Sequence, residues 1–564
     1  MNPRRRWLQI LPFVMLLAAS LLSSSPVLAQ STNRQIGTQF TVTADPLVPR
    51  PLEQPCVVPL FANYTFAYFS QWQQTFAFAP PGNCPGPWEK IVFEADFSEN
   101  GGIQYDRTAS IFLGDTDLYF GTTPEPLATL TNTWHVERDV TDYSALLATP
   151  QNGDIELGNC TTDCSTYLNG VFTVSADLEF YAAQPGRSAT KLPDVVLPLV
   201  QSNGNGGINL PGYLYSPTDQ LSTTFTLPTN IEQAYLDVIS QSQSTDESWW
   251  GCFPNDLAGI NEVYGCGNTN FRETEVTIDG QPAGIAPVSP WVYTGDLPDD
   301  WQPIPGVQTL EFVPYRVNLT PFAGLLSNGQ PHTIAFSVFN DDYYFQVTGS
   351  LLLYLDQGTT QITGAVTENT LTGPNPVVTE KLHGTGTVKG TIGVQSNRSY
   401  TIAGYVDTSH GKVSTSIAGQ QNFSSTERID FDTVNFTVLD QNTSLQTSLS
   451  SVTTVKSPKG TLATTDLWSF PFTVRFTYPV SSAMFGFTQA FTQNYGTSEL
   501  VTSDGNPTYS NSLTNALKAT DVSPISSSQK YTYSDSNGVS YDCHIASKNA
   551  VLTSVSQGCK QDEQ

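Results

Sequence analysis

Val171-Phe-Thr-Val-Ser-Ala-Asp-Leu-Glu-Phe-Tyr181 alternates strictly, with Phe172, Val174, Ala176, Leu178 and Phe180 on one side and Thr173, Ser175, Asp177 and Glu179 on the other. A period of two is the mark of a strand with one face on a core and the other toward water. Similar runs flank it at a distance: Ile91-Val-Phe-Glu-Ala-Asp-Phe97, Thr333-Ile-Ala-Phe-Ser-Val-Phe339 and Phe345-Gln-Val-Thr-Gly-Ser-Leu-Leu-Leu-Tyr-Leu355. Their β-branched and aromatic residues suit a pleated, half-buried surface. Long helical patterns are nearly absent, and 42 glycines and 38 prolines break helices and support turns. Many short strands must close their edges, so the expected fold class is all-β, built as an antiparallel sandwich or jelly roll.

A chain of 564 residues has room for three cores of ordinary size. Residues 1–29 read as a signal peptide: Arg4, Arg5 and Arg6, an apolar run from Leu8 to Leu22, then Val27-Leu28-Ala29 before Gln30. The expectation is an exported protein with no membrane association after cleavage. A first sandwich is expected over 30–185, a connector over 186–207, where Ser202-Asn-Gly-Asn-Gly-Gly207 is turn-rich, and a second sandwich over 208–356. Beyond Asp356 the aromatic content thins and Thr/Ser alternation takes over, predicting a β-rich accessory region over 357–564 with a partly disordered stretch near Ser510 to Ser536. The eight cysteines fall as near neighbours, which suggests the pairs Cys56/Cys84, Cys160/Cys164, Cys252/Cys266 and Cys543/Cys559 in an oxidising compartment.

The formal net charge is −27, and loss of the three signal-peptide arginines brings it near −30, which argues against nucleic acid as a partner. Only 13% of residues are charged, about half the usual share. A polar but weakly charged surface suits an acidic extracellular setting, although many exported β proteins share it. Other chemistries fail on inventory. The five histidines lie far apart with no His-Glu-x-x-His pair, and there is neither a Gly-x-Ser-x-Gly elbow nor a phosphate-cradling Gly-rich loop with Lys.

An ordered set of segments resembles the peptide:N-glycanase A family. In the first half, Gln104-Tyr-Asp-Arg-Thr-Ala-Ser-Ile-Phe-Leu113 is followed by Gly121-Thr-Thr-Pro-Glu-Pro126 and Arg138-Asp-Val-Thr-Asp-Tyr-Ser-Ala-Leu-Leu147. In the second come Ser244-Thr-Asp-Glu-Ser-Trp-Trp250, Asn270-Phe-Arg-Glu-Thr-Glu-Val-Thr-Ile-Asp-Gly280, Trp291-Val-Tyr-Thr-Gly295, Trp301-Gln-Pro-Ile304, Asn318-Leu-Thr-Pro-Phe322 and Tyr354-Leu-Asp356. The resemblance implies two tandem eight-stranded jelly rolls with a substrate cleft along their interface. It also implies no metal and no organic cofactor, and a monomer acting on N-glycosylated peptides or denatured glycoproteins.

Hydrolysis of the unreactive glycosyl-asparagine amide needs an activated water, a stabilised carbonyl oxygen and a proton for the leaving nitrogen. The resemblance carries the family's essential aspartate onto Asp106, with Arg107 beside it as a structural or substrate-orienting cation. If both stood in a strand they would point to opposite faces. Glu247 is the second candidate carboxylate by the same likeness. Here the sequence departs from the family, with Ser248 and Trp250 in place of an aromatic and a tyrosine, so Asp246 and Glu262 stay open as alternatives. Trp249, Trp250 and Tyr105 are either sugar-stacking platforms or core. Glu125 matches a family segment or simply shapes its Pro-flanked turn. Two other functions remain on the same residues, a non-catalytic glycan-binding surface protein and a glycosidase with paired carboxylates.

Overall fold

The computed structural model describes residues 37–38, 41–125, 128–161, 168–183, 191–205, 207–258, 266–294, 303–432, 434, 437–477 and 488–559. The fold is all-β. The expected signal peptide, Cys164, Glu262 and the segment 295–302 lie outside the described residues.

The first unit has eight main strands: β1 (Cys56–Phe66), β2 (Gln73–Phe78), β3 (Trp88–Glu99), β4 (Thr108–Leu113), β5 (Thr116–Thr122), β6 (Asn132–Asp139), β7 (Gln151–Leu157) and β8 (Phe172–Ala182). They form two antiparallel sheets, ordered β1-β8-β3-β6 and β2-β7-β4-β5, so the chain crosses between sheets at nearly every connection. The alternating run from Val171 to Tyr181 forms most of β8, an inner strand between β1 and β3. Its apolar set from Phe172 to Phe180 is buried and its polar set half-buried, as the period required.

The second unit repeats the same order with β9 (Val195–Leu199), β10 (Gly212–Leu214), β11 (Leu221–Thr226), β12 (Ile231–Ser242), β13 (Glu273–Ile278), β14 (Gln281–Pro287), β15 (Tyr315–Asn318), β16 (Pro331–Phe339) and β17 (Phe345–Leu355). Its sheets are β9-β17-β12-β15, with β10 also on β17, and β11-β16-β13-β14. The expected connector is therefore corrected: 195–199 is a strand hydrogen-bonded to β17, and Val196 packs into the core of the first unit. The triple Leu351-Leu352-Leu353 is apolar on both faces for a related reason. Leu352 belongs to the first unit's core, whereas Leu351 and Leu353 belong to the second's, so two-sided burial replaces alternation.

Gly121 lets β5 meet the neighbouring unit, since a Cβ there would overlap the Leu310 carbonyl. Across the same seam the Tyr119 hydroxyl donates to Leu310 O at 2.7 Å and the Phe312 N–H donates to Phe120 O at 2.8 Å.

Eleven strands make up the C-terminal sheet: β18 (Thr363–Asn369), β19 (Val377–His383), β20 (Thr387–Thr408), β21 (Gly411–Asp432), β22 (Thr437–Ser457), β23 (Gly460–Thr477), β24 (Thr488–Ser503), β25 (Asn506–Thr520), β26 (Ser526–Asp535), β27 (Ser540–Lys548) and β28 (Val551–Val555). From β20 onward it is a simple meander. The stretch near Ser510 to Ser536, expected to be loose, falls largely in β25 and β26, which are joined by a continuous ladder. Nor is the region a detached accessory, because its buried face and the second sandwich share one core. Trp250 packs on Phe472 at 4.9 Å, Phe271 on Phe423 at 4.8 Å and Tyr315 on Trp468 at 4.8 Å between ring centres, and Arg398 ion-pairs with buried Glu273. An N-terminal strap joins the units: Arg50 binds Glu137 and Glu179 of the first, the Val42 N–H donates to Pro303 O, and the Ala44 N–H donates to Gln529 of β26.

Disulfides close Cys56–Cys84, Cys252–Cys266 and Cys543–Cys559 in the expected pairing, and Cys160 is also disulfide-bonded.

Burial raises several carboxyl pKa values: Glu273 to about 7, and Glu311 and Glu427 to about 8. His135 is also raised, to about 9; burial opposes this, but Asp96 and Glu137 prevail. Each group binds its proton more tightly folded than unfolded, where a glutamate titrates near 4.3. The glutamates' stabilisation is complete below that value and is lost as pH rises toward 8. That of His135 is complete below about 6.5 and is lost as pH rises toward 9, and the growing net negative charge acts in the same direction. The apparent Tm is expected to be several degrees higher at pH 5 than at pH 8, measured by differential scanning fluorimetry at constant ionic strength.

Candidate active site

Between the two sandwiches lies a cleft of about 290 Å³, lined among others by Trp72, Asp106, Arg107, Glu156, Tyr213 and Glu247. Asp106 and Arg107 belong to the irregular segment that precedes β4, not to the strand. Strand alternation therefore does not separate them, and both line the cleft. The segment is pinned where the Arg107 N–H donates to the Thr123 hydroxyl at 2.8 Å and the Thr123 N–H donates back to Arg107 O at 2.8 Å. The guanidinium donates through Nε and Nη2 to Gln104 Oε1 at 3.1 and 2.8 Å. Buried Gln104 is held in turn by donating its own amide to Asn159 Oδ1 at 2.6 Å. Asn159, part of a potential glycosylation sequon, is thereby an internal support.

The opposite wall is built by the turn after β12. Ser244 takes a left-handed φ of 54°, which bends the chain sharply out of the strand. A single 3-10 turn, Ser244–Asp246, follows and Glu247 caps it, with its side chain at the cleft. Asp246 points the other way and is fully buried. Its Oδ1 accepts from Arg272 Nε and Nη2 at 2.9 and 2.7 Å, and its Oδ2 accepts the Asp342 and Tyr343 N–H groups at 2.7 and 2.6 Å. The Gln243 amide reaches across to the Thr108 hydroxyl of the first unit at 3.2 Å, tying the two walls together.

Charge is arranged unevenly around the cleft. Glu156, on β7, is pushed up to about 8 by burial and then by Asp154, so it carries a proton at neutral pH. Beside Asp106, Glu125 is raised to about 7 by burial and by the Asp106 charge, against the pull of the Asp106 N–H and Arg107. Glu99, buried behind them, is raised to about 8 by burial and by Glu125. Arg107 thus stands among acids of which Glu99 is mostly protonated near neutrality and Glu125 about half. The site can offer carboxylate bases, a protonated carboxyl and one guanidinium in a partly water-excluded space, which is the inventory of acid–base hydrolysis.

Of the residues singled out from sequence, the structure brings Asp106, Arg107 and Glu247 to one cleft. Three others are corrected. Asp246 is sealed in an ion pair and has no surface to offer a ligand. Trp249 and Trp250 are each 0% exposed, because the C-terminal sheet covers their turn, so they are core and not platforms. Tyr105 is 44% exposed beside Arg107, whose guanidinium carbon lies 5.7 Å from the ring centre. Glu262 lies outside the described residues. The sequence reading passed over Glu156, which alternates in β7 like any solvent-facing acid and meets the cleft only through the packing of the two units. Glu94, His135 and Glu137 are close enough together to hold a metal ion, but Arg50 already ion-pairs with both glutamates, and the group lies away from the cleft.

The family profile described as "Peptide N-acetyl-beta-D-glucosaminyl asparaginase amidase A" matches residues 46–372, more than half of the chain. A relative from Prunus dulcis, peptide-N4-(N-acetyl-beta-glucosaminyl)asparagine amidase A, is 28% identical over 388 residues, covering 65% of this chain. The chain spans 66% of that relative's length. Two solved structures are also similar. PNGF-II has 15% identity and a TM-score of 0.38, covering 54% of this chain and 66% of that one. PNGase F, a glycosylasparaginase from Flavobacterium meningosepticum, has 15% identity and a TM-score of 0.36, covering 54% and 96%. Since the matched span takes in both walls of the cleft, the chain belongs to the peptide N-acetyl-beta-D-glucosaminyl asparaginase amidase A family.

Proposed function

We propose that the protein hydrolyses the amide between the first N-acetylglucosamine of an N-linked glycan and its asparagine, in peptides or denatured glycoproteins, outside the cytoplasm. The observation that carries this reading is the convergence of Asp106 and Glu156 from one sandwich and Glu247 from the other on a single cleft. The Prunus dulcis relative bears the name of this activity. Disulfides fit an oxidising compartment, and among the described residues no helix is long and apolar enough to cross a membrane.

In this reading the Asp106 carboxylate takes a proton from the attacking water as its oxygen bonds to the side-chain carbonyl carbon. Arg107, aimed by Gln104, faces the oxyanion that develops. Glu156 gives its proton to the departing nitrogen as the C–N bond breaks, and Glu247 orients the first sugar. Asparagine becomes aspartate, the glycan leaves as a glycosylamine, and that amine breaks down in water to ammonia and a reducing sugar.

The test is mass spectrometry of a glycopeptide incubated with the protein from acidic to alkaline pH. Conversion of asparagine to aspartate with release of the whole glycan is expected, with the rate falling as pH rises through about 8, where Glu156 loses its proton. Cleavage within the glycan, or an unchanged substrate at every pH, would overturn the proposal.

A further inference from the structure

Four tyrosines extend the cleft wall on the Glu247 side. Tyr213 lines the cleft. Its ring lies nearly parallel to Tyr215, at 8° and 6.1 Å between centres, and Tyr215 in turn meets Tyr343 at 5.5 Å and Tyr344 at 5.4 Å. Tyr215 and Tyr343 are 47% and 50% exposed, unusual for large aromatics on a well-packed sandwich. Nor is the patch a loose loop. The Thr245 N–H donates to Tyr343 O at 2.8 Å, Gln243 and Tyr344 exchange backbone bonds, and Asp246 holds the Tyr343 N–H. The turn that presents Glu247 and the loop that presents two of the tyrosines are thus clamped as one body.

We propose that this tyrosine platform is a binding subsite for outer sugars of the glycan, those beyond the residue joined to asparagine; the inference rests on the amidase reading of the adjoining cleft. A pyranose ring has an apolar C–H face that stacks on flat aromatic rings, while its hydroxyls can bond phenol oxygens. A peptide would instead call for a row of backbone donors and acceptors, and the platform presents ring faces and hydroxyls. Continuity decides the occupant. The platform begins at cleft-lining Tyr213 and runs outward on the wall that carries Glu247, the group assigned to the sugar. Because the rings are already fixed, little ordering cost opposes binding.

The experiment compares wild type with the double variant Tyr215→Ala/Tyr343→Ala on one peptide carrying either a complete branched glycan or a single N-acetylglucosamine. The platform predicts a drop in kcat/KM of about tenfold on the complete glycan, carried by KM, and less than about twofold on the single sugar. Equal losses on both substrates would overturn it. Binding of the free branched oligosaccharide, followed by NMR titration, gives a second readout independent of hydrolysis. Wild-type binding weakened in the double variant and restored by Tyr215→Trp supports the subsite, whereas equal binding by wild type and double variant, or none by either, defeats it. Wild type inert on both glycopeptides yet binding the oligosaccharide through these tyrosines would remove the hydrolase and keep the platform.

Discussion

Asp106→Asn lowers kcat on a glycopeptide roughly 10²–10⁴-fold while leaving the Tm nearly unchanged, the range that a positioned proton-transfer group contributes. Glu247→Gln, at the residue that orients the first sugar, acts chiefly by raising KM, with the Tm likewise nearly unchanged. Both substitutions keep shape and remove only the charge and proton capacity of a half-buried side chain at the cleft. They sit on different sandwiches, so a loss with either ties the chemistry to the seam between them and not to one unit. Steady-state kinetics with a dye-labelled glycopeptide, beside a thermal melt of each variant, checks the expectation. Full activity in Asp106→Asn would remove that residue from the mechanism. A large Tm drop would show that the loss is one of folding.

A second large effect concerns Asp246, one residue from Glu247 and opposite in role. Asp246→Ala leaves the Arg272 guanidinium buried without its carboxylate and strips two backbone N–H groups of their acceptor. Breaking one side of a buried pair costs about 3–5 kcal/mol, which for a unit of this size moves the Tm by on the order of 10 °C. A ligand-binding residue would behave otherwise, with a raised KM and an unchanged melt. Arg272→Met is expected to destabilise in the same direction, because it strands the Asp246 charge instead. Melting curves of the two single variants and the double variant separate these outcomes, since the double variant removes both stranded charges and loses less than the sum of the two.

Much of the fold was legible in the sequence because strand period is a local property. The Phe172 to Phe180 alternation reports its own burial, and the three described cysteine pairs lie within 28 residues of each other along the chain. Asp106 came from an ordered set of motifs; composition alone would have called it a surface acid. What escaped depends on chain segments far away. The Gly/Ser-rich surroundings of Trp249 and Trp250 read as an exposed loop, yet strands more than two hundred residues later lie over them. Glu156 sits on the polar side of an alternating strand, and only the neighbouring sandwich turns that side into a cleft wall. Val195–Leu199 follows a turn-like stretch and reads as linker until β17 supplies its hydrogen-bonding partner. The thin aromatic content after Asp356 suggested an appendage; the meander's inward aromatics complete a core begun before it.

The N-terminal strap that joins Ala44 to Gln529 and to the Tyr541 hydroxyl has a consequence for biogenesis. As the nascent chain leaves the ribosome, the eight strands of the first sandwich emerge before Leu310 and Leu352, which complete its core. The second holds Trp250, Phe271 and Tyr315 uncovered until Phe472, Phe423 and Trp468 have been synthesised, and the strap at Ala44 is fastened only after β26 and β27 follow. Such a product ripens late and depends on chaperone protection of a sticky half-built surface.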